Sequence, residues 1–190
     1  MSRRLRLGID LDGVVADFNM GWMERYNRRF GAQLHHSQVV SWDGLHRLTH
    51  FSSMDEFWSW AQEGGRSIFR DLPAFTGAVE TMIELARDHQ IVIISSKFDW
   101  AIPDTLEWLA EHRIPAREIH FLWDKTSVAC DVYLEDAPHN LEALVNAHPG
   151  SVVCRMVRPW NGPLSGAVDV SDWQAFASLV ATHADAAIAR

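Results

Sequence analysis

The chain has 190 residues, 47% hydrophobic and 22% charged, the length and balance of one folded domain and not of a disordered or fibrous protein. A net charge of -8 argues against a long nucleic acid as partner, since such binding rests on clustered Lys and Arg. No apolar run is long enough to cross a bilayer, and MSRRLRLGID has no signal-peptide apolar segment, so no membrane partner and a cytoplasmic setting are expected.

In chain order, residues 5–11 read as a buried strand and 12–16 as a loop. A hairpin closed by Asp12-Gly13 is the rival reading. The spacing after Gly13 opposes it: Val14, Phe18, Trp22, Tyr26 and Phe30 recur every four residues, with Arg25, Arg28 and Arg29 between them, and predict an amphipathic helix over about 17–30. Residues 74–90 read as a helix, and IVII at 91–94 as a short buried strand ending in Ser95-Ser96. A helix over about 103–113 follows, with Pro103 in its first turn. Strands are predicted at 119–122, 131–135 and 151–157, with a helix near 138–147. The last helix, 171–187, opens on a Ser171-x-x-Gln174 capping box.

Apolar strands alternating with helices predict a doubly wound parallel α/β sheet covered on both faces. One interval breaks the rhythm. Asp10 and Ser95 are 85 positions apart, whereas a strand-helix-strand unit needs about 30 residues. Residues 17–72 are therefore read as an insertion after the first strand, with enough Trp and Phe for a small helical cap; 1–16 and 73–190 form the core. Cys130 and Cys154 lack metal or disulfide spacing and read as buried thiols. His46 and His50, four apart but without further ligands, read as surface residues and not as a zinc site.

In an open parallel sheet, ligands bind at the carboxyl ends of the strands. Those ends carry Asp10 and Asp12, Ser95 and Ser96, Lys125, and Glu135-Asp136, a set suited to one phosphate and one metal. With D-L-D-G-V at 10–14, an apolar strand ending in Ser95, Lys125 in W-D-K-T and the acidic pair of V-Y-L-E-D at 132–136, the chain resembles the haloacid-dehalogenase-superfamily phosphohydrolases. Within them it most resembles the 5'(3')-deoxyribonucleotidases and their bacterial relatives, through DLDGVVADF, FRDLPAFTGA, DKTSVACDVYLEDAPHN, and RPWN followed by VSDW. Residues 31–68 match only loosely. The resemblance implies a Rossmann-like core with the cap after its first strand.

A carboxylate at a rigid strand end can attack phosphorus, which suits Asp10 to an aspartyl-phosphate mechanism. Asp12, two residues on and on the same side of an extended backbone, suits general acid-base work. Crowding Asp10, Asp12, Glu135 and Asp136 around an anion requires a cation, and an all-oxygen set suits Mg²⁺. By the resemblance, Asp10, the Asp12 backbone carbonyl and Asp136 are the ligands, with Glu135 behind them. The family's acidic pair is more often Asp-Asp, so which acid touches the ion stays open. An EF-hand is excluded, because the third oxygen position and the closing Glu are absent. Ser95 and Lys125 read as fixed donors to the phosphoryl group, and Ser96 as a substrate contact. Lys97, the only other lysine, reads as a rim residue.

Aromatic residues of the cap could stack on a nucleobase or fill the cap's own core; Phe18, close to the catalytic loop, is the first candidate for stacking, and Trp58 and Trp60 follow. The expected activity is Mg²⁺-dependent hydrolysis of a nucleoside monophosphate. The alternatives are a phosphatase of another small metabolite, and a non-catalytic module that binds a phosphorylated ligand or a partner protein. A phosphonatase is set aside because residues 17–72 contain no lysine for a Schiff base.

Overall fold

The computed structural model describes residues 3–186. Six parallel strands form one sheet in the order β3-β2-β1-β4-β5-β6, the order of a doubly wound dinucleotide-binding sheet. They are β1 (Arg6–Ile9), β2 (Gln90–Ser95), β3 (Ala116–Phe121), β4 (Val132–Glu135), β5 (Val152–Met156) and β6 (Ala167–Val170). The chain runs outward from β1 to β3, then returns to β1's other side for β4 to β6. The crevice where this order reverses lies between β1 and β4, the two strands that end in the acidic groups.

Alternation along the central strands sends side chains to opposite faces. Leu7, Ile9, Ile91, Ile93, Val132 and Leu134 share one apolar cluster with residues of α3 (Ala78–Asp88), α4 (Ile102–Glu111) and α6 (Trp173–Ala186). Val92, Ile94, Tyr133 and Val153 pack on the other face against Leu141 and Leu144 of α5 (Pro138–Ala147). Burial on both faces explains why these strands are continuous apolar runs.

Several boundaries differ from the sequence expectation. β1 is shorter than 5–11 because the chain turns after Ile9, although the Asp10 N–H still donates to Leu134 O at 3.0 Å. β3 starts three residues earlier than the apolar IHFL run, and β6 was not expected at all. Both lie at the sheet's edges, where half-exposed residues such as Ile119 and Val168 give no continuous apolar signal. The cap of α6 is Asp172, not Ser171: Asp172 Oδ1 accepts the Ala175 N–H at 2.8 Å, while Ser171 Oγ donates to Asp172 Oδ2. Position 187 of that expected helix, and the outer ends of the expected core segments, lie outside the described residues.

Between β1 and β2 lie α1 (Phe18–Phe30), α2 (Met54–Ala61) and four short 3-10 turns. Asp17 starts α1 by accepting the Met20 N–H at 3.0 Å, and Gly31 ends it in the left-handed region. Ser53 accepts the Glu56 N–H at 3.2 Å, and Glu56 accepts the Ser52 N–H at 2.7 Å, which fixes the start of α2. Trp22, Phe57 and Trp60 pack together and belong to the same apolar cluster as the sheet. The segment is tied to α4 by Arg70, paired with Glu107 and Glu111, and by the Trp108 indole, which donates to Leu72 O at 2.7 Å.

His46 lies in a 3-10 turn, Leu45–Leu48, and His50 lies beyond its end against the Tyr26 hydroxyl at 2.7 Å. They share no helix face. Cys130 and Cys154 are buried free thiols, both raised by burial, to about 11 and about 12. Among the described residues, no helix is long and apolar enough to cross a membrane.

Candidate active site

The loop after β1 answers the hairpin question. Leu11 O accepts the backbone N–H groups of Val14, Val15 and Ala16 at 3.2, 2.8 and 2.8 Å, so the chain coils tightly before α1. Gly13 sits at φ 80°, and a Cβ there would overlap the Asp136 carboxylate. Glycine meets both demands, a left-handed backbone and a close approach. The result packs the D-L-D segment against the end of β4.

There the acidic groups converge. Asp10, Glu135 and Asp136 each offer an oxygen within 4.8 Å of the others. Lys125 lies between two of them, 2.8 Å from Asp10 Oδ1 and 2.6 Å from Glu135 Oε2. Glu135 Oε1 accepts the N–H groups of Asp136 and Ala137 at 3.1 and 2.9 Å, so both its oxygens are engaged away from the cavity. Asp136 Oδ2 accepts the Trp160 indole N–H at 2.8 Å, and Asp136 Oδ1 has no protein partner.

The charges are mutually dependent. Burial, reinforced by Glu135 and Asp10, holds Asp136 well above the usual carboxylate range. Burial and Asp10 push Glu135 up to about 7 despite Lys125. Burial also raises Asp12, against the pull of Lys97. For Lys125 burial opposes the charged form, yet Asp10 and Glu135 prevail and raise it. Burial and mutual repulsion thus favour the protonated forms of Glu135 and Asp136, while Lys125 stays charged.

A cavity of about 380 Å³ opens over these residues. Asp10, Asp12, Ser95, Lys125 and Asp136 line its polar end, and Phe18, Trp58, Phe69 and Phe98 form an aromatic wall. Phe18 stacks on Phe69 with centroids 5.5 Å apart, and Trp58 is nearly parallel to Phe69 at 14°. Ser41, Trp42 and Asp43 line the cavity from the segment before α2, and Trp42 approaches His139 at 5.6 Å. Ser96 also lines it, with Oγ donating to Leu122 O at 3.1 Å.

Two expectations need correction. Trp60 does not line the cavity; it is buried among Tyr26, Phe51 and Phe57, because it falls on the face of α2 opposite to Trp58. Lys97 is not a rim residue; its side chain is buried and paired with Asp12. The sequence reading quoted the segment after β5 only as part of the resemblance and gave it no role in the site. Besides Trp160, Asn161 Nδ2 donates to Asp136 O at 2.7 Å, and Arg158 Nε donates to Gly13 O at 2.7 Å. RPWN follows a strand's carboxyl end like the other site segments, and applying the strand-end rule to β5 would have found it.

Solved structures share this architecture. A haloacid dehalogenase-like family hydrolase from Xanthomonas campestris superposes with a TM-score of 0.62 at 13% identity, covering 100% of both chains. The haloacid-dehalogenase-like hydrolase YfnB of Bacillus subtilis, solved bound to magnesium, gives 0.60 at 10% identity, over 94% of this chain and 99% of that one. At such identity these establish the fold alone. Sequence relatives go further. A candidate 5'(3')-deoxyribonucleotidase of Chlorobaculum tepidum is 31% identical over 148 residues, 73% of this chain and 72% of that one. The cytosolic-type 5'(3')-deoxyribonucleotidase of Homo sapiens is 28% identical, covering 72% of each chain. The 5'(3')-deoxyribonucleotidase of Clostridium acetobutylicum is 28% identical, covering 80% of this chain and 87% of that one. A family model described as 5' nucleotidase, deoxy (pyrimidine), cytosolic type C protein matches residues 3–186, and the chain therefore belongs to that family of haloacid-dehalogenase-fold phosphomonoester hydrolases.

Proposed function

We propose that the protein is a Mg²⁺-dependent nucleotidase that hydrolyses nucleoside monophosphates, deoxy forms included, through a phosphorylated Asp10. One observation carries the reading. Asp12 Oδ1, Ser95 Oγ and Asp136 Oδ1 are buried without hydrogen-bond partners, and all three residues line the same cavity. Buried polar atoms are normally paired, so three orphans at three strand ends fit a cation and a phosphoryl group.

The donor set fits a hard cation, being all oxygen and net acidic. Asp10, the backbone carbonyl of Asp12 and Asp136 would hold Mg²⁺, while Glu135 orients Lys125 and the turn into α5. Bound there, the ion would offset the negative charge shared by the carboxylates and the phosphoryl oxygens. The magnesium bound by YfnB, which has the same fold, agrees with this choice.

The protein groups divide the remaining work. An Asp10 carboxylate oxygen attacks phosphorus as the bond to the leaving oxygen breaks, and Asp12 gives that oxygen its proton. Water then attacks the phosphorylated Asp10 as Asp12 takes a proton from it, and inorganic phosphate leaves with the Asp10 carboxylate restored. Ser95 Oγ and Lys125 Nζ donate to phosphoryl oxygens from fixed positions. Phe18 and Trp58 offer flat apolar faces to the nucleobase, with Phe69 stacked behind Phe18. Residues 17–72 act as the cap that excludes water over the reacting atoms. A cytoplasmic setting accords with the cytosolic type of the human relative.

The test is turnover of a panel of 5'- and 3'-nucleoside monophosphates, ribo and deoxy, beside sugar phosphates, with Mg²⁺ and with chelator. Nucleotides are expected to lead, chelation to abolish turnover, and Asp10→Asn to lower kcat by roughly a thousandfold or more. Preference for a sugar phosphate would overturn the substrate assignment. Undiminished activity in Asp10→Asn would overturn the nucleophile.

A further inference from the structure

The chain has two lysines, Lys97 and Lys125, and each stands on one carboxylate of the Asp10-Leu11-Asp12 segment. Lys125 takes Asp10. Lys97 takes Asp12, through Oδ2. Lys97 reaches this place from just beyond the end of β2, and only 5% of it is exposed. Its ammonium lies 4.1 Å from the centroid of the Phe69 ring, and Phe69 in turn stacks on Phe18 in the cavity wall. A carboxylate on one side and an aromatic face on the other hold the cation behind Asp12. A buried cation persists only when such partners offset its lost hydration. The pairing is also selective by atom. Oδ2 of Asp12 is held, whereas Oδ1 has no protein partner.

We propose that Lys97 is a positioning residue for proton transfer to the leaving group: it anchors Asp12 Oδ2 so that Oδ1 is the oxygen presented to the bridging oxygen of the substrate. The inference rests on the phosphomonoesterase reading above. As the phosphorus-oxygen bond breaks, the proton on Asp12 Oδ1 passes to the leaving alkoxide, and Lys97 keeps its own protons throughout. The Phe69 contact ties this anchor to the wall against which the leaving nucleoside rests. Freed from Lys97, the Asp12 side chain can rotate about its Cα–Cβ bond, and misplacement of a catalytic group by about 1 Å can cost on the order of a hundredfold in rate.

Such a role is visible in leaving-group dependence. A nucleoside leaves as a strongly basic alkoxide that needs a proton, whereas p-nitrophenolate is stable as an anion. For both substrates kcat/KM reports the steps up to phosphorylation of Asp10. Lys97→Met is expected to lower kcat/KM on the order of tenfold or more further for a nucleoside 5'-monophosphate than for p-nitrophenyl phosphate. Lys97→Arg, which keeps the charge and donors, is expected to return the ratio toward the native value. Lys97→Gln is measured alongside, with circular dichroism on each variant, so that either folded neutral variant decides the matter. Equal losses on both substrates, or a native ratio in a folded neutral variant, would overturn the role and leave Lys97 a structural ion pair. Native protein that turns over neither substrate with Mg²⁺ would overturn the phosphomonoesterase reading itself, a separate outcome.

Discussion

Gly13 and Trp160 approach Asp136 from different segments and constrain it differently. Gly13 leaves room for the carboxylate by having no Cβ, and its carbonyl is held by Arg158, whose guanidinium lies 3.9 Å from the Phe75 ring centroid. Trp160 occupies Oδ2 at 2.8 Å and so fixes which oxygen of Asp136 faces the cavity. Groups that orient a metal ligand typically change metal affinity by about 10–100-fold when removed. Trp160→Phe keeps an aromatic ring, though a smaller one, and deletes the donor. We expect the Mg²⁺ concentration giving half of the maximal thermal shift to rise by at least about tenfold, with the chelated protein little changed in Tm. An unshifted Mg²⁺ titration in that variant would mean that Asp136 does not ligate through Oδ1.

Among the elements, β1 and β4 matter most, because their pairing brings like charges together. Glu135, raised to about 7 from its ordinary 4.5, keeps a proton in the folded chain over a range where the unfolded chain has lost it. The folded state then binds more protons than the unfolded one, so stability falls as pH rises. The contribution is complete below about pH 4.5 and lost as pH passes about 7; Asp136 acts in the same direction. In chelator this acidic pair draws Tm down across the window, while His89 and His139, lowered by burial, act in the opposite direction. Mg²⁺ needs the deprotonated carboxylates, so its stabilising shift should grow over the same interval. Differential scanning calorimetry at about pH 5.5 and about pH 8, with and without Mg²⁺, checks both trends. A Mg²⁺ shift equal at the two pH values would contradict a cation site built on these carboxylates.

For the whole molecule, the aromatic residues of the segment between β1 and β2 serve two purposes. Trp58 lines the cavity, while Trp60 fills the interior beside Tyr26 and Phe57. Trp60→Ala should therefore cost about 3–5 kcal/mol of stability, measured by denaturant unfolding, whereas Trp58→Ala should chiefly raise KM for nucleotides. The reverse pattern would exchange their roles. The central strands, their order of appearance and the acidic strand ends were legible in the sequence, because strands buried on both faces leave continuous apolar runs and a carboxylate at their end has few other uses. β6 was not legible, since an edge strand with Val168 in solvent lacks that signature. Nor was Lys97: a lone lysine carries no mark of burial, and its partner Asp12 lies 85 positions away.

The apolar cluster beneath the sheet runs without a break into the segment between β1 and β2, and Trp108 of α4 is capped by the Leu72 carbonyl at 2.7 Å. Excising residues 17–72 would bare one flank of that cluster to water and strand the indole N–H. The specificity of this protein is accordingly open to redesign at the cavity's inner surface, by changing single rings such as Phe18 or Trp58, and closed to wholesale exchange of the segment that carries them.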